Sequence, residues 1–95
     1  MKKYISYHNN GIKHEEFYQI DGKKEGTFEI YYENGQLSLR QNFKNDINDG
    51  VSESYYENGQ LESRENYKLG KNIEISEYYH ENGQLDYKVF PKDRN

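Results

Sequence analysis

The sequence predicts an all-β fold: a single antiparallel meander of about eight strands, built from four 24-residue β-hairpin repeats. Three observations carry this reading. The string ENGQL stands at 33–37, 57–61 and 81–85, a spacing of 24 both times. Each Asn-Gly pair lies between stretches rich in Tyr, Phe, Ile, Leu and Ser, the arrangement of a hairpin turn between two strands. No segment places its apolar residues at a helical period.

Taken in order, the first hairpin is the most divergent. Twenty-four residues before Gly35 stands Gly11, and Tyr7-His8-Asn9-Asn10-Gly11 matches Tyr31-Tyr32-Glu33-Asn34-Gly35 in kind. Tyr7, Tyr31, Tyr55 and Tyr79 form one unbroken series, as do Gly11, Gly35, Gly59 and Gly83. The chain is therefore expected to be one domain over 1–95, its repeats centred on those glycines. Strands are expected near 4–8, 12–20, 26–33, 36–44, 50–57, 60–68, 73–80 and 84–90, with Pro91 where the last one stops. At about 4.8 Å per strand the sheet should measure roughly 35 to 40 Å across.

The turns fix a register. Two-residue type I′ turns are expected at Asn10-Gly11, Asn34-Gly35, Asn58-Gly59 and Asn82-Gly83, because Asn-Gly is the preferred pair where both central residues need positive φ. This sets Glu33 against Gln36, Tyr32 against Leu37, Ile30 against Leu39 and Glu29 against Arg40. The same arithmetic opposes Glu53 to Arg64 and Glu77 to Lys88, and opposite charges directly across an antiparallel pair stabilise it by roughly 0.2 to 1 kcal/mol. The first copy reads as one residue shorter after its turn. Short return loops at 21–24, 45–50 and 69–72 join the hairpins, the second reading as longer than its fellows.

Composition bounds the rest. Mean hydropathy is −1.37, yet eleven Tyr and four Phe make up 16% of the chain, so a wet sheet rich in aromatics fits better than disorder. The charge of −4, with 13 basic and 17 acidic residues interspersed, offers no basic stripe for nucleic acid or an anionic membrane. Cysteine is absent, which removes disulfides and thiolate metal sites. The N-terminal segment has no apolar run of signal-peptide length and no later segment could span a bilayer as a helix, so a cytoplasmic location is expected.

Alternation sorts the side chains into two faces. Phe28, Ile30, Tyr32, Leu37, Leu39, Phe43, Tyr56, Leu61, Tyr67, Tyr78, Leu85, Tyr87 and Val89 make the better candidate for a packed side, interrupted by Ser52, Ser54, Ser63 and Glu65. The other face carries Tyr31, Tyr55 and Tyr79 beside the Glu–Arg and Glu–Lys pairs, with Val51, Ile75 and Phe90. A lone sheet without a covering helix must curl, pair or leave a surface for a partner. Tyrosine is enriched at interface hot spots, so Tyr31, Tyr55 and Tyr79 are the candidate partner-binding residues. No catalytic constellation is visible and no cofactor or metal is implied. His8 and His80 occupy the repeat position of Tyr32 and Tyr56, which points to packing, and Glu33, Glu57 and Glu81 stand about two strands apart at turn entrances.

Tandem units of the form YYENGQL separated by NG, DG or LGK turns resemble the MORN repeat variant of bacterial proteins, over roughly 4–90. The resemblance implies a MORN-like open sheet and, through the YwqK-type antitoxins of that repeat class, a non-catalytic protein that binds and neutralises a toxin. The chain departs from the MORN pattern in lacking Trp. The alternative is a self-assembling structural repeat protein, a homodimer joined through its apolar face or its sheet edges.

Overall fold

A computed structural model describes residues 1–91 as one open antiparallel sheet without helix. Its strands are β1 (Lys2–Tyr7), β2 (Lys13–Ile20), β3 (Lys23–Lys24), β4 (Gly26–Tyr31), β5 (Leu37–Lys44), β6 (Ile47–Asn48), β7 (Gly50–Tyr55), β8 (Leu61–Lys68), β9 (Lys71–Asn72), β10 (Ser76–Tyr79) and β11 (Leu85–Val89). The order across the sheet is β1-β2-β4-β5-β7-β8-β10-β11, while the two-residue strands β3, β6 and β9 pair back onto β2, β5 and β8. The four hairpins are β1–β2, β4–β5, β7–β8 and β10–β11, as the repeat requires. The sheet measures 42 × 36 × 11 Å, which is one layer thick.

The expected register holds at its charged pairs and fails at its turns. Glu29 faces Arg40, Glu53 faces Arg64, Glu77 faces Lys88 and Ile30 faces Leu39. The type I′ turns at the four Asn-Gly pairs are not formed. The Tyr32 amide donates to the Gln36 carbonyl (2.8 Å) and the Gly35 amide to the Tyr32 carbonyl (2.9 Å), closing a three-residue loop of Glu33, Asn34 and Gly35. Only the glycine has positive φ (91° at Gly35 and Gly59), the pattern of a tight turn followed by a glycine bulge. The extra loop residue is absorbed by a bulge between Ile30 and Tyr31, which sets Tyr31 and not Tyr32 opposite Leu37.

Asparagine is used here for its side chain, not for tolerance of positive φ. Asn34 Oδ1 accepts the Gln36 amide at 2.9 Å, capping the turn from inside. Asn10, Asn58 and Asn82 do the same for Ile12, Gln60 and Gln84.

The turns with two consecutive positive-φ residues lie instead between the hairpins: Asp21-Gly22 (51°, 78°), Asn45-Asp46 (55°, 72°) and Leu69-Gly70 (51°, 82°). All three join strands of equal offset, so the second return is no longer than the others. At position 46, where the other returns have glycine, Asp46 N donates to Lys24 O (2.9 Å) as Gly70 N does to Asn48 O, and the aspartate side chain adds a bond of its own, Lys24 N donating to Asp46 Oδ1 (3.0 Å). Nor is the first copy shorter, since Ser6 faces Glu15 as Ile30 faces Leu39. After each return the chain must swing back into the ladder. Gly26 (86°) and Gly50 (112°) do this at one repeat position of the second and third units, where the fourth has Glu74. There the strand starts only at Ser76.

A sheet this thin buries little. Phe28 (8% exposed) is the buried apolar residue among those described, with Ser52 and Ser76 at the same repeat position. Cover at these sites comes from neighbouring side chains of one face, because no second layer lies over either.

Candidate functional site

One row of residues crosses all eight long strands in register: Ile5, Glu16, Glu29, Arg40, Glu53, Arg64, Glu77, Lys88. From Glu29 onward the charges alternate. Arg40 Nε lies 3.0 Å from Glu29 Oε2, Arg64 Nε 3.1 Å from Glu53 Oε2, and Glu77 stands between Arg64 and Lys88 at 4.0 Å from each. Glu16 occupies the place that Arg or Lys holds in the other repeats, so it sits beside Glu29 with the wrong sign. Lys13 Nζ (2.7 Å) and Lys3 Nζ (3.5 Å) compensate, and the Lys13 ammonium bond holds the Glu16 carboxyl below its ordinary range.

Tyr31, Tyr55 and Tyr79 lie on this charged face, as alternation places them. Each hydroxyl donates to the glutamate two residues earlier: Tyr31 to Glu29 (3.1 Å), Tyr55 to Glu53 and Tyr79 to Glu77 (2.9 Å each). Burial raises the Tyr31 and Tyr55 hydroxyls above their ordinary pKa, with the glutamate bond adding to it; at Tyr79 the Glu77 bond comes first. The tyrosines are therefore half-buried, neutral and locked in orientation, each tied through its glutamate to a cation. Lys13 also lies 4.9 Å above the Tyr31 ring.

The opposite face changes character along the sheet. At the N-terminal end the rings of Tyr4, Phe17, Phe28 and Phe43 follow one another at 5.2, 5.4 and 5.9 Å, with Lys24 Nζ 4.8 Å over Phe28. The middle is polar: Ser54 and Ser63 face one another and share a hydrogen bond. At the C-terminal end Glu65 accepts from Tyr67 (3.0 Å) and Tyr78 (2.8 Å), and Tyr78 stacks on Tyr87 at 4.7 Å. Burial, then the Glu65 bond, pushes the Tyr78 hydroxyl up to about 12. Glu65, Ser76, Tyr78 and Val89 line a hollow of about 490 Å³. The interruption expected at Ser52, Ser54, Ser63 and Glu65 thus divides this side into an aromatic patch and a tyrosine–carboxylate patch.

Sequence reasoning missed a set of side chains that fastens each hairpin to the next. His8 Nε2 meets Tyr31 O (2.7 Å), and the hydroxyls of Tyr32 and Tyr56 donate to Tyr55 O and Tyr79 O (2.6 Å each). In parallel, Asn10, Asn34 and Asn58 Nδ2 donate to the carbonyls of Glu33, Glu57 and Glu81, each at 3.0 Å. Every bond runs 23 residues forward. The histidine–tyrosine equivalence was the available signal, since all of these side chains are flat and carry a polar atom at reach. His8 also packs on His14 at 4.4 Å, so its role is packing and bonding together. Glu33, Glu57 and Glu81 serve through their backbone carbonyls and are not brought together.

This geometry defines a class: a hairpin-repeat protein with two open faces and an internal lattice of repeat-to-repeat bonds. The profile of the MORN repeat variant matches residues 24–45, 48–69 and 75–91, and the chain belongs to that family. The family is generally non-catalytic and its repeats engage proteins or membranes. No curated protein and no solved structure matches the chain.

Proposed function

We propose that this chain is a protein-binding module that holds a folded partner against its charged face, with Tyr31, Tyr55 and Tyr79 as the anchors. The observation that carries the reading is the fixing of those three rings before any partner arrives. Each is tied to a glutamate of its own strand, so little side-chain freedom is left to lose on binding. Equivalent positions two strands apart stand about 10 Å from one another, so one partner surface can meet all three. The charges of that face are largely paired among themselves, and this favours a protein with its own polar rim over an anionic bilayer or nucleic acid.

Within the family resemblance, the finer reading is an antitoxin or immunity protein whose binding covers the working surface of a toxin. The fold needs no disulfide, which suits action in the cytoplasm. The test is affinity purification from the native cell, followed by titration of the recovered partner with Tyr55→Ala. Affinity should fall about tenfold or more, the mark of a hot-spot aromatic, while the circular dichroism spectrum stays that of a sheet. Unchanged affinity in a folded variant would move the site to the opposite face.

A further inference from the structure

Among the described residues the outermost strands are β1 and β11, both exposed along their whole length, and each presents one half of the contact that joins neighbouring hairpins inside the chain. That contact occurs three times, between β2 and β4, β5 and β7, and β8 and β10. It consists of two facing residue pairs, such as Leu39 with Ser54 and Arg40 with Glu53. It also includes the two forward bonds from a flat polar side chain and a turn asparagine. At the C-terminal hairpin the equivalent donors are His80 and Asn82. Among the described residues the His80 side chain makes a 3.4 Å contact to the exposed Asp86 and no bond to a backbone carbonyl, and Asn82 Nδ2 meets no acceptor. At the N-terminal hairpin the equivalent acceptors are the carbonyls of Tyr7 and Asn9. One end supplies what the other lacks.

We propose that a second copy of this chain sets its β1 against β11, continuing the meander head to tail, with Tyr87 opposite Ser6 and Lys88 opposite Ile5 of the second copy. Shifting the three internal junctions by one more repeat gives this register directly. His80 and Asn82 then reach the Tyr7 and Asn9 carbonyls of the second copy, and the histidine at the first junction shows that His serves there as well as Tyr. Lys88 would face Ile5, which stands where the inner repeats have Glu29, Glu53 and Glu77, so this pair opposes no like charges but lacks the facing opposite charges of the β5–β7 and β8–β10 junctions. Paired β-edges hide the unpaired backbone groups that make exposed edge strands prone to association. The interface is heterologous, so assemblies grow beyond two copies unless the twist closes a ring.

Size-exclusion chromatography with light scattering on the intact chain should show a mass that rises above 11.4 kDa on concentration. Ile5→Lys opposes Lys88 of the next copy while facing Glu16 within its own chain, so it should weaken association several-fold and leave the hairpin formed. Ile5→Glu combined with Glu16→Arg restores the pattern of the inner repeats, each Glu facing a cation on both sides, and should strengthen association. His80→Ala with Asn82→Ala removes both forward bonds and should weaken association about tenfold. A mixture of Ile5→Lys with that double variant pairs an intact β11 with an intact β1, and so should recover the unmodified affinity and stop at two copies. A monomer at every concentration overturns the proposal, and so does an assembly indifferent to both ends, which would place the contact on a sheet face.

Discussion

Replacing Asn58 by alanine tests whether the hairpins hold one another through their turns. Two bonds are lost: Asn58 Oδ1 no longer accepts the Gln60 amide (2.9 Å), and Nδ2 no longer donates to Glu81 O (3.0 Å). A net hydrogen bond contributes about 0.5 to 1.5 kcal/mol, and both sites are exposed enough for water to replace part of it, so a loss of about 1 to 2 kcal/mol is expected. In a domain of this size that lowers the melting temperature by roughly 5 to 15 °C. Two companions separate the components. Asn58→Asp keeps the acceptor for Gln60 but turns a carboxylate towards the Glu81 carbonyl, so it should lose the inter-repeat part alone or more. Asn82→Ala removes only the Gln84 bond, and measured where the chain is monomeric it should cost about 0.5 to 1 kcal/mol. Thermal melts by circular dichroism with urea titrations give all three values. If Asn58→Ala and Asn82→Ala cost the same, the bond from one hairpin to the next adds nothing.

Gly59→Val should destabilise the protein by about 1 to 3 kcal/mol, because a β-branched residue is strained at a φ of 91°, and an unchanged urea midpoint would refute the turn geometry. Alkaline pH should also destabilise the sheet. The Tyr78 hydroxyl is raised from 10.0 to about 12, so its stabilising effect is intact below 10 and disappears as the unfolded chain ionises first between those values. Tyr78→Phe should flatten that part of a stability–pH curve, and a curve unaltered by the substitution would show that another group governs it. Glu16 gives the opposite sign: its lowered pKa means that its contribution is present above the ordinary carboxyl range and fades as pH falls, a loss that Lys13→Met should remove. Glu74→Gly should let β10 begin earlier, read as slowed amide exchange at Ile75, and no change there would mean that glycine does not set where the strand starts.

The hairpins, their order and their charged pairs were legible because each rests on a short-range rule repeated at a fixed spacing. Opposing Glu29 to Arg40 needs only the period of a strand and the position of a turn. The turns themselves were misread for a physical reason. Asn-Gly satisfies both a two-residue type I′ turn and a three-residue loop closed by glycine, and the choice falls to whatever the asparagine side chain can reach. Here it reaches the next hairpin, a partner 23 residues away that no local pattern displays. The true positive-φ pairs fell on Asp21-Gly22, Asn45-Asp46 and Leu69-Gly70, and the last has a leucine where propensity argues against one. For the candidate site, alternation placed Tyr31, Tyr55 and Tyr79 together. It could not show that each hydroxyl turns back onto its own strand, since that depends on the glutamates already being held by Arg40, Arg64 and Lys88.

A single layer with one buried apolar residue among those described cannot owe its order to a core, so its cohesion must be spread along the sheet. Each junction between hairpins joins only two residue pairs of backbone, and the forward side-chain bonds add as many contacts again. Stability in such an array is a sum of unit and nearest-neighbour terms. A partner that spans Tyr31, Tyr55 and Tyr79 therefore bridges two of the three junctions and tightens each. Binding to the charged face and the integrity of the sheet are then coupled: a partner laid across the tyrosine row should slow amide exchange at Gly59 and Gly83, whose amides bond the Tyr56 and His80 carbonyls on turns it need not touch. Protection confined to the residues under the partner would show that the hairpins respond independently.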